Sequence, residues 1–272
     1  MSLPSIDCSD LFNVAGKSAV VIGATGSFGQ VVCATLGDAG AKLTIAAGNA
    51  SNLADLAVDL REAGIATVDI ARRPDSEADC SAIVAAAVEA YGGIDILVVA
   101  SGMNDISPII DMEPKRFQKV MLANVDGAWL MARAVGKQMI AQGRGGKVVF
   151  TSSARGKLGH PAGYSAYCTS KSATDGMTRA LGCEWGSVGI TVNAIAPTVF
   201  RSPVTAWMFE DNESAGKLEK GFCRGCPLVA LGNRRILLVL CYFCVLRHRI
   251  FTRDMSSMLM AAIRRVKRVC RT

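Results

Sequence analysis

The sequence contains no long apolar run: the longest, residues 236–246, has eleven residues. A membrane-spanning helix needs about 20, so no transmembrane segment is expected. Charge is also sparse. Charged residues are 19% of the chain and apolar ones 50%, a balance that excludes global disorder. The first residues, MSLPSIDCSDLFNVAGK, show no basic stretch followed by an apolar one, so no secretory signal is expected. The ten cysteines are then expected as reduced thiols in a cytoplasm. Acids nearly vanish from the last fifth. Residues 223–272 hold 11 of the 30 Lys/Arg but only Asp254 of the 23 Asp/Glu, and half of the cysteines. The formal charge of +7 therefore belongs to the tail, and residues 1–222 are slightly acidic. A basic balance confined to a tail does not argue that the whole protein binds nucleic acid or a membrane.

What is present in the first 222 residues is alternation. Short, nearly continuous apolar runs occur at 18–23, 42–47, 66–70, 94–100, 147–152 and 190–196, as parallel strands covered on both faces require. Ala-rich helical stretches lie between them at 27–39, 51–64, 76–91, 113–142 and 164–186. Such alternation predicts βαβ units with right-handed crossovers, and so a Rossmann-type α/β fold: one doubly wound parallel sheet with helices on both faces. A chain of 272 residues suits one such domain or two small ones.

The segment VIGATGSFGQ follows the first strand and opens the first helix. Gly23, Gly26 and Gly29 let the backbone turn tightly and approach a pyrophosphate at the helix N-terminus. Strand, loop and helix in that order predict dinucleotide binding. The tripeptide GKS at 16–18 is no P-loop, because Leu11 stands where a glycine is needed. After the second strand, where NAD-binding chains place a carboxylate for the ribose 2′-hydroxyl, the chain reads Ala46, Ala47, Gly48, Asn49. No acid there repels a 2′-phosphate. Arg72 and Arg73, after the third strand, either reach the adenosine end or form a solvated turn. The balance leans to NADP.

TSSARGKLGHPAGYSAYCTSK runs from the fifth strand into a helix. Tyr167 and Lys171, four residues apart, share a helix face, where an ammonium favours a phenolate. Ser153 stands at the carboxyl end of a strand, where ligands bind in open parallel sheets. Its hydroxyl is placed to hold a carbonyl oxygen while Tyr167 exchanges a proton.

With these motifs in order, residues 11–222 resemble the short-chain dehydrogenase/reductase family of the single-domain kind. The resemblance implies an NAD(P)-dependent oxidoreductase acting on a small carbonyl or secondary alcohol, commonly a homo-oligomer, and assigns roles. Asn124 in LANVDG would hold a water, Ser153 would orient substrate, Tyr167 would be the acid/base, and Lys171 would lower the tyrosine pKa and bind the nicotinamide ribose. It places the cofactor against Gly23, Thr25, Ser27, Phe28 and Gly29, against Gly48 and Asn49, against Gly102, and against Pro197 and Phe200, besides Asn124, Tyr167 and Lys171. The chain departs from the family at Ser27, where glycine is usual, and at VASG (99–102), where Asn-Asn-Ala-Gly is usual. The spacing from Ser153 to Tyr167 is one residue longer than usual, which keeps Ser152 as an alternative to Ser153. His160 either contacts substrate or caps backbone, Cys168 points off the Tyr167 face, and Trp207, Met208 and Phe209 belong either to a substrate lid or to its packing.

The tail contains CRGCPLVALGNRRILLVLCYFC, two Cys-x-x-Cys pairs with fourteen residues between them, close to a zinc-ribbon spacing. It lacks the polar knuckles of a ribbon. Read one base earlier from residue 222, the codons allowed by the tail can spell the family's GRLGEPED helix start, a TGH strand and a terminal Asp-Gly-Gly before a stop. Several positions are forced: Phe222–Cys223, Cys241–Tyr242 and Phe243–Cys244 must each give Leu. Residues 223–272 are thus expected to be a frameshift product, with no metal site and no nucleic-acid role. A chain so altered is either an impaired oxidoreductase or a dinucleotide-binding remnant.

Overall fold

The structure, a computed structural model of the chain, describes residues 13–197. Phe200, the Trp207–Phe209 group and the tail cysteines lie outside the described residues.

Six parallel strands form one sheet in the order β3-β2-β1-β4-β5-β6. They are β1 (Ser18–Ile22), β2 (Lys42–Ala46), β3 (Thr67–Ile70), β4 (Ile96–Val99), β5 (Gly146–Thr151) and β6 (Ile190–Ile195). Each falls within two residues of its sequence-predicted bounds. All five β1 residues are buried, because their neighbours point to opposite covered faces. Ala19 and Val21 pack with α1 (Ser27–Asp38) and α2 (Ala50–Glu62) in one apolar core. Val20 and Ile22 join a second core with α3 (Glu77–Tyr91), α5 (Gly127–Gln142) and α6 (Ser165–Trp185). This two-sided burial is why the strands read as continuous apolar runs rather than alternating ones.

Local signals fix the helix ends. Asn49 caps α2 by accepting from Asn52 N at 3.0 Å, and Ser76 caps α3 by accepting from Asp79 N at 3.1 Å. Such caps each contribute about 1 kcal/mol. Gly92 and Gly143 close α3 and α5 in the left-handed region, a conformation glycine takes at little cost after a helix.

One long helix expected over 113–142 is built differently. It consists of α4 (Pro114–Met121), a π turn (Leu122–Asp126) and α5. The wide turn closes with Gly127 N donating to Leu122 O. It is centred on Asn124, which is buried. Single π turns concentrate at functional sites because they re-aim one side chain within a helix.

The order of strands reverses between β1 and β4, which pair with each other while their crossovers lead to opposite sides. Beyond the carboxyl ends of these two strands lies the crevice in which open α/β sheets bind ligands. The glycine loop follows β1, Gly102 follows β4 and Ser153 follows β5, so these groups lie at that end of the sheet.

Candidate active site

The glycine loop is closed on itself. Gly23 takes a φ of +77°, and a Cβ there would stand 2.6 Å from Ser101 N. A Cβ on Gly29 would stand 2.2 Å from the Gly23 carbonyl, so both positions exclude a side chain. Gly23 N and Ala24 N donate to Ala46 O at 2.8 and 3.2 Å, locking the loop over β2. Gly26 is the N-cap of α1; no side chain caps this end and its first turn holds no acid. The N-terminus therefore presents backbone donors and positive dipole without competition, which suits a pyrophosphate. Thr25 is held by its carbonyl, which accepts from Gln30 Nε2 at 3.1 Å. Ser27 starts the helix and Phe28 is buried beneath it.

At the end of β2, Gly48 and Asn49 are exposed. Asn49 is spent on capping. A Cβ on Gly48 would come within 2.8 Å of Arg73 Cδ, so the Arg73 stem crosses this residue. Arg72 turns away and pairs with Asp79 at 2.6 Å. Of the two arginines, Arg73 is the one beside the predicted adenosine end.

The second cluster gathers on α6. Tyr167, Ser170, Lys171 and Asp175 recur at helical spacing along it. Ser153 lies close enough to Tyr167 for its hydroxyl to pull the phenol's pKa down, so the strand end and the helix face meet. Lys171 is buried, its Nζ donating to the Thr151 carbonyl at 2.7 Å and standing 5.6 Å from the centroid of the Tyr167 ring. Burial pulls the Lys171 pKa down to about 8 against the opposing charge of Asp175. Burial likewise pushes the Tyr167 phenol up, while the Ser153 hydrogen bond and Arg155 work the other way. The expected fall in the Tyr167 pKa is thus not a property of the described residues. Desolvation is the larger effect there, and it drives both groups toward their neutral forms.

Asn124 uses its whole amide. Its Oδ1 accepts from Met103 N at 2.7 Å, and its Nδ2 donates to Met103 O and to Ser170 Oγ, both at 2.9 Å. The π turn thereby ties the loop after β4 to α6. Gly102 lies between the two groups: a Cβ there would stand 3.3 Å from Asn124 Oδ1 and 3.4 Å from Lys171 Nζ. Pro197 closes the far side, its carbonyl accepting from Ala154 N at 3.1 Å.

A family model described as short chain dehydrogenase matches residues 17–213. The chain belongs to the short-chain dehydrogenase family. An uncharacterized oxidoreductase of Mycobacterium tuberculosis is 48% identical over 219 residues, covering 80% of each chain. A galactitol 2-dehydrogenase (L-tagatose-forming) of Cereibacter sphaeroides is 33% identical over 208 residues, covering 76% of this chain and 81% of its own. The crystal structure of a gluconate 5-dehydrogenase from Burkholderia cenocepacia, in complex with NADP and tartrate, superposes with a TM-score of 0.79. It is 26% identical and covers 87% of this chain and 91% of its own. The chain is therefore an oxidoreductase by family, acting on a small molecule with a dinucleotide. Among the described residues no helix is long and apolar enough to cross a membrane.

In this short-chain dehydrogenase, the two serines after β5 do different things. Ser152 Oγ donates to Asp175 Oδ1 at 2.6 Å, facing the flank of α6 rather than Tyr167. Ser153 Oγ accepts from Arg155 N at 3.2 Å and meets Tyr167. His160 Nδ1 accepts from Ala162 N at 3.1 Å, the backbone-capping alternative. Cys168 turns to the Leu158 carbonyl at 3.6 Å, off the Tyr167 face.

Sequence reasoning did not single out Arg155, Ser170 or Asp175. Asp175 and Ser170 carried a usable signal, since each shares the helical face of Tyr167 and Lys171. Arg155 lies inside the quoted motif but shows its position only once the loop is folded.

Proposed function

We propose that the chain transfers hydride between a nicotinamide and a carbonyl or secondary-alcohol carbon, with Tyr167 as acid/base. The observation that carries this reading is the grouping of buried Ser153 and Lys171 around half-buried Tyr167 at the carboxyl end of β5, beside the glycine loop. The nicotinamide, when bound, supplies or accepts the hydride. Ser153 orients the substrate oxygen by its hydroxyl, and Tyr167 gives or takes that oxygen's proton. Lys171 is fixed by the Thr151 carbonyl, which keeps its charge within reach of the phenol and of a ribose hydroxyl. Asn124 serves by clamping Met103 and Ser170, so that the loop after β4 and helix α6 move as one wall. A loop that reproduces the cofactor cradle without side chains and a helix end left for an anion support the same reading.

The finer cofactor assignment is NADP. Arg73 crosses Gly48 where a carboxylate would otherwise select the 2′-hydroxyl; its guanidinium pairs with Asp75 at 3.3 Å, and a 2′-phosphate would compete with that exposed carboxylate for it. The gluconate 5-dehydrogenase with NADP supports it by likeness.

Tyr167→Phe keeps the ring and removes the proton. Loss of general acid–base catalysis is expected to cost about 10²- to 10⁴-fold in kcat, read from nucleotide absorbance. A Tyr167→Phe protein with full turnover would sink the mechanism.

We further propose that residues 223–272 are a frameshifted replacement of the family's last helix and strand. The family match ends at residue 213 and the mycobacterial match runs over 219 residues, which supports this reading. Sequencing the gene across codon 222 tests it: an intact single frame through the family's Asp-Gly-Gly is the expected result once one base is restored.

A further inference from the structure

Ser153 stands in a segment that α6 fastens on both sides of it. Lys171 Nζ donates to the Thr151 carbonyl at 2.7 Å, Asp175 Oδ1 accepts from Ser152 Oγ at 2.6 Å, and Ser172 Oγ donates to the Gly156 carbonyl at 2.8 Å. Of these three side chains, Asp175 alone reaches both flanks. A Cβ on Gly156 would stand 2.8 Å from Asp175 Oδ2, so the carboxylate fills the place a side chain there would need. Lys157 Nζ lies 3.7 Å from the same oxygen, an exposed pair of small weight. The bond to Ser152 carries more. It has the short length of a hydroxyl–carboxylate bond, Ser152 is buried, and the Asp175 side chain is only 12% exposed, so little water reaches in to replace it. The other acceptor of Ser152, the Lys171 carbonyl, is at 3.4 Å, a poor hydrogen-bond distance. Ser153 is extended, with φ −160° and ψ 157°, and neighbouring side chains of an extended chain point opposite ways. Fixing Ser152 against the flank of α6 therefore turns Ser153 toward Tyr167.

We infer that Asp175 is the positioning residue of this site: its carboxylate braces Ser152 and the turn at Gly156, and so holds the Ser153 hydroxyl against Tyr167. This rests on the reading of Ser153 and Tyr167 as the pair that meets the substrate oxygen. Asp175 itself touches no substrate and moves no proton; it acts through the neighbour of the residue that does. The brace matters because displacing a reacting group by about 1 Å costs about a hundredfold in rate. The same carboxylate also raises the Lys171 pKa, and its two effects have opposite signs at Tyr167. Burial raises the phenol's pKa and the Ser153 hydroxyl lowers it, so a Ser153 that loses its place lets it rise further. Loss of a negative charge nearby would instead lower it. Lys171, with a pKa of about 8, is already neutral where the phenol ionises. Arg155, which also lowers the phenol's pKa, is held by other groups: its Nη1 donates to the Gly159 carbonyl at 2.8 Å and its Cζ stands 6.0 Å from the centroid of the Tyr164 ring.

The test is a titration of the full chain carrying a carbon-13 label at Cζ of its four tyrosines, followed by NMR from about pH 8 to 12. The Tyr167 signal is assigned by its loss in Tyr167→Phe. Asp175→Ala and Ser152→Ala are each expected to move the Tyr167 ionisation to higher pH, toward its position in Ser153→Ala. The double variant Asp175→Ala/Ser152→Ala should move it no further than either alone, as for two ends of one interaction. Asp175→Asn keeps an acceptor for Ser152 and should show no upward move. Tyr91, whose hydroxyl donates to the Leu43 carbonyl at 3.2 Å and whose burial raises its pKa, reports whether the fold stands. Should it fall to ordinary tyrosine behaviour in Asp175→Ala, Ser152→Ala, which deletes a single oxygen, decides alone. An ionisation unmoved in Asp175→Ala or in Ser153→Ala overturns the proposal. So does a downward move in Asp175→Ala, the mark of charge acting alone, or an upward move in Asp175→Asn equal to that in Asp175→Ala. The readout needs no turnover, so full turnover by Tyr167→Phe removes the acid–base reading and leaves the brace standing.

Discussion

Lys171 is the most expensive side chain among the described residues, and removing it should show how much. Its pKa falls from 10.5 to about 8, chiefly through burial, so keeping it charged costs roughly 3 kcal/mol at neutral pH. Lys171→Met retains the apolar stem and discards the charge. It also discards the hydrogen bond to the Thr151 carbonyl, about 1 kcal/mol. The variant should therefore be more stable than the parent by about 2 kcal/mol at pH 7, a rise in Tm of roughly 4–8 °C for a domain of this size. The sign reverses its trend with pH. Between the folded pKa of about 8 and the unfolded 10.5, the unfolded parent binds more protons than the folded one, so parent stability climbs with pH across that window. The advantage of Lys171→Met should shrink to about zero by pH 10. Urea unfolding of both proteins from pH 7 to 10 reads the difference directly, and groups that titrate alike in both cancel. A difference that stays constant with pH, or a variant less stable at pH 7, would refute the argument. The gain in stability should accompany loss of turnover, the exchange expected where a reactive group is held against its solvation.

Other outcomes follow from the same geometry. Asp175→Asn keeps an acceptor for Ser152 but deletes the charge that holds the Lys171 pKa up. The lower edge of the window in which parent stability climbs, set by the folded pKa, should move to lower pH while its upper end, set by the unfolded chain, stays; an unmoved lower edge would show that Asp175 acts only as a tether. Arg73→Met removes the cation beside Gly48 and should raise the KM for NADP by roughly tenfold, one charge-assisted pair, with a smaller change for NAD. Equal effects on both nucleotides would free Arg73 of the 2′-phosphate role.

Much of this molecule was legible before it was seen folded. The strands were found because a sheet covered on both faces forces β-branched and apolar residues into continuous runs, and β1 is buried at every position. The glycine loop was found because close backbone approach admits only one residue type, and the Cβ distances at Gly23 and Gly29 show that exclusion at work. The pairing of Tyr167 with Lys171 needed only helical spacing. What stayed hidden depends on contacts between distant segments. The π turn at Asn124 leaves no mark in periodicity, since one extra residue in a turn shifts the phase less than ordinary sequence noise. Ser152 and Ser153 differ by a strand's alternation, and only Asp175, on another element, decides which of them meets Tyr167. Arg155 has the composition of a surface loop residue and acquires significance from Tyr164 and Gly159.

The loop after β5 is fastened at both ends and open in the middle. Ser172 Oγ donates to the Gly156 carbonyl at 2.8 Å, and Ser152 grips Asp175. At the other end Ser107 N donates to Gly163 O at 3.0 Å, where a positive φ and a crowded Cβ position admit only glycine. Residues 157–162 between these clasps are almost all exposed. The span can therefore gain or lose a residue, as its unusual length suggests it has, while the reacting groups keep their register. Such a design separates inheritance of chemistry from inheritance of taste: the helix transmits the reaction unchanged, and the loop is free to be rewritten for a new substrate within the same frame of clasps.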